Sequence, residues 1–194
     1  MSRETDKMTK IRSICVYCGA SDAVDPRYIR LAEELGRELA RRGIRLVYGG
    51  GGVGLMGACA RAAHEASGDV LGIMPRFLLQ KERIYKDVEH RIVDDMHTRK
   101  QMMFDESEAF IVLPGGIGTL EEAVEILSWA RLGLHAKPMA FLDEDGFWSP
   151  FFELLERIIE GGFIPDEFRQ MMVHSKTSND AIEALLDRVV VLDI

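Results

Sequence analysis

The sequence predicts an α/β fold in which helices cover both faces of a parallel sheet, a Rossmann-like arrangement. Short apolar segments, which favour buried strands, alternate along the chain with segments of helical periodicity. The segment Ala109–Leu113 contains no polar residue, as is typical of a parallel strand that is buried on both faces. Glycine-containing turns follow several of the predicted strands, at the edge of the sheet where such folds bind their ligands.

The first half of the chain is predicted to form three strands and two helices. The first helix carries a stripe of apolar residues at helical spacing and ends at Gly43, and the second helix is rich in alanine. The strands are Ile11–Tyr17, Ile44–Tyr48 and Asp69–Met74, and the helices are Pro26–Arg42 and a segment that follows Gly57 and ends near Ser67.

The second half continues the alternation after an irregular segment, Phe77–Glu89, which we expect to lie over the ligand site. One helix precedes the apolar strand Ala109–Leu113, and another follows it. The remaining predicted elements are a short strand at Arg91–Val93, a helix at Met96–Glu106, a strand at Pro138–Leu142, a helix at Trp148–Glu160, a strand remnant at Val173 and a helix at Asn179–Arg188.

Length and charge restrict the class of protein. The 194 residues suit one domain, which we expect to span residues 11–194 after a polar, frayed tail at residues 1–10. The formal net charge of -8 argues against a nucleic-acid-binding protein. No apolar run approaches the roughly 20 residues that span a membrane, and the polar start lacks the apolar core of a secretion signal. Three cysteines favour a reducing compartment, so we expect a cytoplasmic protein.

The most informative stretch is a glycine turn between the central strand and the helix after it. Pro114 ends the strand, and Gly115, Gly116 and Gly118 leave backbone amides uncovered, so that an anion can approach them closely. The helix is predicted to begin at Thr119 and to separate apolar from polar side chains. The apolar face carries Leu120, Ala123, Val124, Leu127 and Ala130, and the polar face carries Glu121, Glu122, Glu125 and Ser128. This arrangement predicts a site for a phosphorylated ligand, with carboxylates one helical turn away.

Glu122 has a structural and a functional interpretation. In the structural one, Thr119 and Glu122 form a capping box at the helix start, where the helix dipole also favours acids. In the functional one, Glu122 acts on the bound ligand. The functional interpretation is favoured because Glu125 continues the acidic face and because the turn contains more glycine than a cap requires.

A second glycine-rich run, Gly49–Gly57, follows the second predicted strand. Residues 52–57 match the G-x-G-x-x-G pattern of dinucleotide-binding loops. That pattern also requires an acid about 20 residues further on, but Ile73–Pro75 occupies this region, so NAD is disfavoured. We expect the loop to hold a phosphate or ribose, with Gly51 and Gly52 in contact with substrate. The structural alternative is tight packing of helix on strand, which also demands glycine.

Two adjacent cations, Arg99 and Lys100, precede the central strand. Arg99 could hold a phosphate with its planar fork of donors, whereas the usual role of a charge pair on a helix is a solvated face. Nearby His97 is either a general acid or base or a packed side chain, and the sequence favours neither.

Cys15 and Cys18 have the spacing of a redox pair. They lie in or just after a strand rather than at the start of a helix, and no second pair completes a zinc site. We therefore interpret them as small core residues and expect no metal site.

Together these motifs resemble the LOG ("Lonely Guy") family of cytokinin-activating phosphoribohydrolases. The resemblance rests chiefly on Met96–Lys100 (Met-His-Thr-Arg-Lys) and Pro114–Glu122 (Pro-Gly-Gly-Ile-Gly-Thr-Leu-Glu-Glu), and it runs from about Ile11 to Phe163. It implies hydrolysis of the N-glycosidic bond of a nucleoside 5′-monophosphate to free base and ribose 5-phosphate, with no metal and no cofactor. Such proteins are often labelled lysine decarboxylases, but no pyridoxal-phosphate lysine site is recognisable in this sequence.

The resemblance also implies residue roles. The family's catalytic arginine corresponds to Arg99 and its catalytic glutamate to Glu122. Ala20 stands where relatives commonly have serine, which puts a hydroxyl contact at that position in doubt. The implied substrate contacts are Glu82, Lys100, Gly115, Gly116, Ile117, Gly118, Thr119, Leu120, Glu121 and Ser128.

The substrate and the class of protein each retain an alternative. The substrate is AMP, as for an AMP nucleosidase, or an N6-prenylated AMP of cytokinin type. Because relatives of this fold also bind nucleotides or carry molybdenum cofactor, a non-catalytic binding protein is the alternative to an enzyme. LOG-like proteins are typically dimers, and the apolar residues that surround the central helix as far as Leu134 favour a homodimer with this helix near the interface.

Overall fold

Strands and helices alternate through the computed structural model, which describes residues 11–79 and 83–192. The predicted tail at residues 1–10 and the predicted substrate contact Glu82 lie outside the described residues. The strands are β1 (Ser13–Tyr17), β2 (Arg45–Tyr48), β3 (Val70–Pro75), β4 (Glu89–Val93), β5 (Ala109–Val112), β6 (Met139–Leu142) and β7 (Met172–Ser175). The helices are α1 (Pro26–Arg41), α2 (Gly54–Glu65), α3 (Met96–Asp105), α4 (Ile117–Arg131), α5 (Ser149–Glu160) and α6 (Ser178–Leu192). None of the helices in these ranges is long and apolar enough to cross a membrane.

The strands form one sheet in the order β4-β3-β2-β1-β5-β6-β7, and every neighbouring pair is parallel. The chain starts at β1 in the middle of the sheet, adds strands outward as far as β4, and then returns to the other side of β1 with β5. β1 and β5 therefore flank the point at which the strand order reverses, where open α/β sheets bind ligands. The predicted α/β fold with a parallel sheet is confirmed.

Apolar layers hold the helices against both faces of the sheet. On one face α1, α2 and α6 cover the strands, and Leu35 and Leu39 of α1 are fully buried there. A Cβ at Gly36 would lie 2.3 Å from the carbonyl oxygen of Cys59, so the glycine allows α1 and α2 to pack closely. On the other face α3, α4 and α5 contribute to a second cluster, which includes the buried side chains of Met103 and Ala123.

Three turns meet at the carboxyl edge of the sheet. The strand register places the ends of β1, β2 and β5 level with one another. The Gly19 N–H donates to the Pro114 carbonyl oxygen at 3.1 Å, and the Leu55 N–H donates to the Gly19 carbonyl oxygen at 3.0 Å. The turns that follow these three strands therefore lie side by side, as predicted.

The two edge strands are both longer than the sequence-based prediction. β7 is a complete strand that pairs with β6 along four residues, whereas only a remnant at Val173 was expected. β4 begins at Glu89, two residues earlier than predicted. Whether such short segments form strands depends on pairing with a neighbouring strand, and their own pattern of apolar and polar residues is too short to predict it.

Candidate active site

The amino end of α4 is open. The helix begins at Ile117 after Gly116, and no side chain forms a capping hydrogen bond there. Its first backbone amides have no partner within the helix. A Cβ added at Gly116 or Gly118 would meet no atom within 4 Å, so these two glycines border free space. An anion could therefore approach the amides directly.

Gly115 serves a different purpose from the glycines after it. A Cβ at this position would lie 2.2 Å from the Thr119 hydroxyl oxygen. Glycine is therefore required so that the turn can pack against the first turn of α4.

Glu122 is not a capping residue. Because α4 begins at Ile117, Thr119 is already inside the helix and Glu122 lies more than a turn from its start. The Glu122 side chain is instead turned inward, and the residue is 5% exposed. Its Oε1 lies 3.3 Å from Nη1 of Arg99. The capping interpretation of Glu122 is therefore wrong. The predicted division of α4 into an apolar and a polar face is also inexact, since Glu122 is buried whereas Val124 is 45% exposed.

Arg99 is buried in the same way. It lies on α3, whose start is capped by the Asp95 carboxylate, which accepts from the Thr98 N–H at 2.8 Å. Arg99 is 6% exposed, so the solvated-face alternative is wrong for this residue. Its Nε donates to the Ile73 carbonyl oxygen at 3.2 Å and its Nη2 to that of Gly49 at 3.3 Å. These two contacts fix the guanidinium and leave Nη1 directed at the carboxylate.

Gly49 makes room for this guanidinium. A Cβ at Gly49 would lie 1.9 Å from Nη2 of Arg99. The first glycine after β2 is therefore needed for the position of the arginine, a role that no pattern in the sequence indicated.

The environment of Glu122 brings the pKa of its carboxyl group close to neutral pH. Burial raises the pKa of Glu122 to about 7 and outweighs the attraction of Arg99, which lowers the pKa. Glu121 and Glu125 raise the pKa further, and Lys100 lowers it. A carboxyl group with this pKa can accept or donate a proton under physiological conditions, which suits a general acid or base.

Lys100 connects the two helices that carry this pair. Its Nζ donates to Oε1 of Glu121 at 2.7 Å and to Oε1 of Glu125 at 2.9 Å. The lysine on α3 is therefore bound to two carboxylates on α4, immediately beside the contact between Arg99 and Glu122.

These groups line a cavity of about 390 Å³ at the carboxyl edge of the sheet. This volume lies within the range of small-ligand sites. Its lining contains the buried ion pair together with a group of apolar side chains, here called the apolar wall, which are Met56, Phe77, Leu78 and Met96. The lining residues are Cys18, Gly19, Ala20, Met56, Phe77, Leu78, Met96, Arg99, Gly116, Gly118, Thr119, Glu121 and Glu122.

Some of the predicted substrate contacts lie away from this cavity. Gly52 is beneath residues 83–85, where its N–H bonds to the Arg83 carbonyl oxygen and where Ile84 forms a bridge with Gly51. A Cβ at Gly52 would lie 2.8 Å from the Arg83 carbonyl oxygen, so this glycine is required by the contact with residues 83–85 and not by the packing of helix on strand that the structural alternative proposed. The other predicted residues that are absent from the lining are Gly115, Ile117, Leu120, Lys100 and Ser128.

His97 and Cys15 lie outside the cavity, whereas Cys18 is part of its lining. His97 is exposed and does not line the cavity. Cys15 and Cys18 are buried and unbonded, and burial raises the pKa of both thiols. Within residues 11–79 and 83–192, no group of three His, Cys, Asp or Glu side chains could hold a metal ion.

The apolar wall could not be recognised in the sequence. Met56, Leu78 and Met96 come from three separate segments, and Phe77 lies in the segment that was predicted to cover the site. Their side chains have no periodic pattern that would distinguish them from core residues. The rule that ligands bind beyond the carboxyl ends of parallel strands does direct attention to the turn after β1, where Cys18, Gly19 and Ala20 line the cavity.

Comparison with known proteins identifies relatives with about 40% sequence identity and solved structures with about 20% identity. A family model described as "Possible lysine decarboxylase" matches residues 56–185. The chain is 41% identical over 185 residues to the cytokinin riboside 5′-monophosphate phosphoribohydrolase LOG of Oryza sativa subsp. japonica, covering 95% of this chain and 76% of the relative. It is 42% identical over 183 residues to a cytokinin riboside 5′-monophosphate phosphoribohydrolase of Arabidopsis thaliana, covering 94% of this chain and 85% of the relative.

Solved structures with this fold are more distant in sequence. The molybdenum cofactor carrier protein of Chlamydomonas reinhardtii superposes with a TM-score of 0.71 at 20% identity, covering 93% of this chain and 99% of the other. The molybdenum cofactor binding protein of Rippkaea orientalis superposes with a TM-score of 0.69 at 21% identity, covering 93% and 98%. At these identities the likeness concerns the fold alone.

Proposed function

The chain belongs to the LOG family of phosphoribohydrolases, and from this we propose that it hydrolyses the N-glycosidic bond of a cytokinin-type nucleoside 5′-monophosphate. The products are the free base and ribose 5-phosphate. The observation that carries the proposal is the buried pair of Arg99 and Glu122 beside the open amino end of α4. The decarboxylase description of the family model is a label and not the activity of these proteins.

We propose that the substrate phosphate binds at the amino end of α4. Backbone amides at a helix start, together with the helix dipole, attract phosphate groups. The free space at Gly116 and Gly118 supports this assignment, since a side chain at either position would occupy it.

Glu122 would then act at the ribose. Cleavage of a ribosyl–base bond passes through an oxocarbenium-like state, by analogy with other glycosidic bonds. A carboxylate beside the ribose stabilises that positive charge and can accept a proton from the attacking water. The Arg99 guanidinium holds the carboxylate in place and favours its charged form.

The base would lie against the apolar wall formed by Met56, Phe77, Leu78 and Met96. Burial of an N6-prenyl group there would be favourable by ~0.8 kcal/mol per buried CH₂. This supports an N6-modified AMP as the better substrate, with AMP itself as the simpler one.

A panel of nucleotides tests the proposed reaction. The purified protein is incubated with AMP, isopentenyladenosine monophosphate, GMP and CMP, and free base is measured by chromatography. Isopentenyladenosine, which lacks the phosphate, is the matched control. We expect base release from the two adenine nucleotides and far slower release from the nucleoside. Absence of free base from every nucleotide would contradict the proposal.

A non-catalytic nucleotide or molybdenum-cofactor carrier is the second candidate. It is motivated by the fold similarity to cofactor carriers, which by itself does not separate the two functions. The pKa of Glu122, raised to about 7, favours the enzyme, because a passive carrier has no need of it. A nucleotide complex that binds tightly and is never turned over would favour the carrier.

We further propose a homodimer in a reducing, cytoplasmic location. Val124, Leu132 and Leu134 are 45%, 68% and 66% exposed on α4 and the residues after it, and a second copy of the chain would cover them. The three cysteines are unbonded, which supports the reducing location.

A further inference from the structure

A second cavity, of about 460 Å³, lies at the opposite edge of the sheet from Arg99 and Glu122. It is bordered by Pro138 at the start of β6 and by Met171 just before β7. Both strands enter the sheet at this edge, so the cavity is separate from the proposed substrate site. It has no role in the reaction described above.

Lys137 and Arg188 bring two cations to this cavity. The Lys137 Nζ donates to the Phe104 carbonyl oxygen at 2.7 Å and lies 3.6 Å from the centre of the Phe104 ring. The Arg188 Nη2 donates to the Met172 carbonyl oxygen at 3.2 Å. Its Nη1 is buried, and no hydrogen-bond acceptor reaches it within the described residues.

Neither cation forms an ion pair in the described part of the chain, and burial lowers the pKa of both Lys137 and Arg188. This is unusual in a chain with a formal net charge of -8. Ten other arginines lie within 4 Å of a carboxylate oxygen. They are Arg12, Arg27, Arg37, Arg41, Arg42, Arg45, Arg76, Arg91, Arg99 and Arg169. Removing a cation from water without a partner is unfavourable, so an anion in the cavity would offset this cost.

A purely structural role explains only part of this arrangement. Lys137 binds a carbonyl in the last turn of α3, where cations are favoured by the helix dipole. That contact does not account for the unpaired Nη1 of Arg188. It also does not account for the presence of two basic residues from different elements in the lining of one cavity.

The remaining polar groups narrow the class of ligand. The His135 Nε2 lies 3.0 Å from the Ile126 carbonyl oxygen, and its Nδ1 accepts from the Lys137 N–H at 3.1 Å. Both ring nitrogens are therefore occupied, and burial lowers the pKa of His135, so the ring is neutral and adds no charge. Exposed Glu167 at the rim disfavours a multiply charged anion.

We propose that this cavity binds a small monocarboxylate with an apolar body. The carboxylate pairs with the Arg188 guanidinium and the Lys137 ammonium, and the apolar body packs on Pro138 and Met171. The ligand is a molecule other than the nucleotide substrate, and it binds whether or not the proposed reaction takes place.

Titration calorimetry with hexanoate as the probe tests the proposal, with neutral hexanamide of the same shape as its control. We expect one saturable hexanoate site and at least about tenfold weaker binding of hexanamide, since a charge-assisted pair is lost. Arg188→Met and Lys137→Met should each weaken hexanoate by at least about tenfold. Arg30→Met, which removes an exposed arginine on α1, should leave the affinity unchanged.

Three results would overturn the proposal: no saturable binding of hexanoate at millimolar concentration, equal binding of hexanamide, or unchanged affinity in both cavity variants. Tighter binding of inorganic phosphate than of hexanoate would contradict the proposed ligand class. The comparison of hexanoate with hexanamide uses the unaltered protein, so it decides the matter even where a variant fails to fold.

A carboxylate of the chain itself, rather than a separate ligand, could pair with Arg188. Asp193 is the candidate, because it follows Arg188 by five positions in the sequence, and the variant Asp193→Asn tests it. The proposal expects unchanged hexanoate affinity in this variant. Binding that becomes at least tenfold tighter would identify Asp193 as the occupant and overturn the proposal of a separate ligand.

Discussion

The carboxyl group of Glu122 is subject to two opposing influences. Burial favours the neutral form, whereas the guanidinium of Arg99 at 3.3 Å favours the charged form. Burial is the larger effect and leaves the pKa at about 7. This balance keeps a base available at neutral pH without committing the site to a permanent buried charge.

The first prediction concerns the pH dependence of activity. If the charged form of Glu122 is required, kcat/KM rises about tenfold per pH unit below the pKa of Glu122 and levels off above about 7. The measurement is kcat/KM across this pH range. Glu121→Gln, which removes a charge that raises this pKa, should move the midpoint to lower pH. A profile that does not change through pH 7 would contradict the assignment.

The second prediction concerns stability. The folded-state pKa of about 7 exceeds the ordinary glutamate value of 4.5, so between these pH values the folded protein retains a proton that the unfolded chain has lost. The free energy of unfolding therefore decreases over this range as pH rises, by on the order of 3 kcal/mol. Glu122→Gln removes this loss and should be more stable than the unaltered protein at about pH 8, with little difference at about pH 4.

Denaturant unfolding at the two pH values measures this difference. Glu125→Gln, on the same helix but only partly buried, is the matched control and should show a much smaller change between the two pH values. Equal destabilisation by Glu122→Gln at both pH values would show that its carboxylate stabilises the fold, and it would contradict the raised pKa of this group.

The start of α4 shows how accurately the sequence predicts a single structural element. The strand, the glycine turn and the helix were all predicted correctly. The start of the helix was predicted at Thr119, which with Glu122 also matches a capping box, but the helix begins at Ile117. The helix begins after Gly116 without a side-chain cap. The capping-box pattern of Thr119 and Glu122 is therefore present in the sequence, but these residues form no cap in the structure.

The third prediction separates the glycines of this turn. Gly118→Ala places a methyl group in free space within a helix, so stability should be unchanged or rise by about 0.5–1 kcal/mol. The same methyl group would obstruct the proposed phosphate position, so KM should rise at least about tenfold. Gly115→Ala should instead destabilise the protein by about 1–3 kcal/mol, since its Cβ meets Thr119.

Steady-state kinetics together with thermal unfolding compare the two variants. An unchanged KM in Gly118→Ala would contradict the proposal that the phosphate binds at the amino end of α4. That result would concern the position of the phosphate and not the roles of Arg99 and Glu122.

The inward direction of Arg99 depends on contacts between elements and could not be predicted. Its neighbours Ile73 and Gly49 lie 26 and 50 residues away in the sequence. Adjacent Lys100 has the same charge and a similar helical position, yet it pairs with Glu121 and Glu125 nearer the surface. Only the packing of α3 between β3 and α4 distinguishes the two cations.

For the whole molecule, alternation of strands and helices was sufficient to predict the sheet and the edge at which the turns meet. The order of strands and the full extent of β7 required the pairing itself, because β7 is short and lies at the edge. The apolar wall of the substrate cavity and the second cavity at the opposite edge arise from residues that are distant in sequence, and no periodic pattern marks them.

The fourth prediction concerns association. Leu132 and Leu134 are exposed beyond the end of α4, and burying such side chains is favourable by ~1.5–3 kcal/mol each. Light scattering at micromolar concentration should therefore give the mass of a dimer. Leu132→Glu together with Leu134→Glu should shift the mass to that of a monomer, whereas Leu154→Glu, at an exposed leucine on α5, should not. A monomer mass for the unaltered protein would contradict the proposed dimer.

The most direct test of the proposed mechanism compares Glu122→Gln with Glu121→Gln in the release of isopentenyladenine from its nucleoside monophosphate. If the Glu122 carboxylate carries the reaction, Glu122→Gln should lower kcat by roughly 100-fold or more, because general acid–base catalysis contributes that much. Nucleotide binding should persist in this variant, and Glu121→Gln should stay within about tenfold of the unaltered protein. Full turnover by Glu122→Gln would contradict the mechanism, even if the nucleotide still bound beside Gly116.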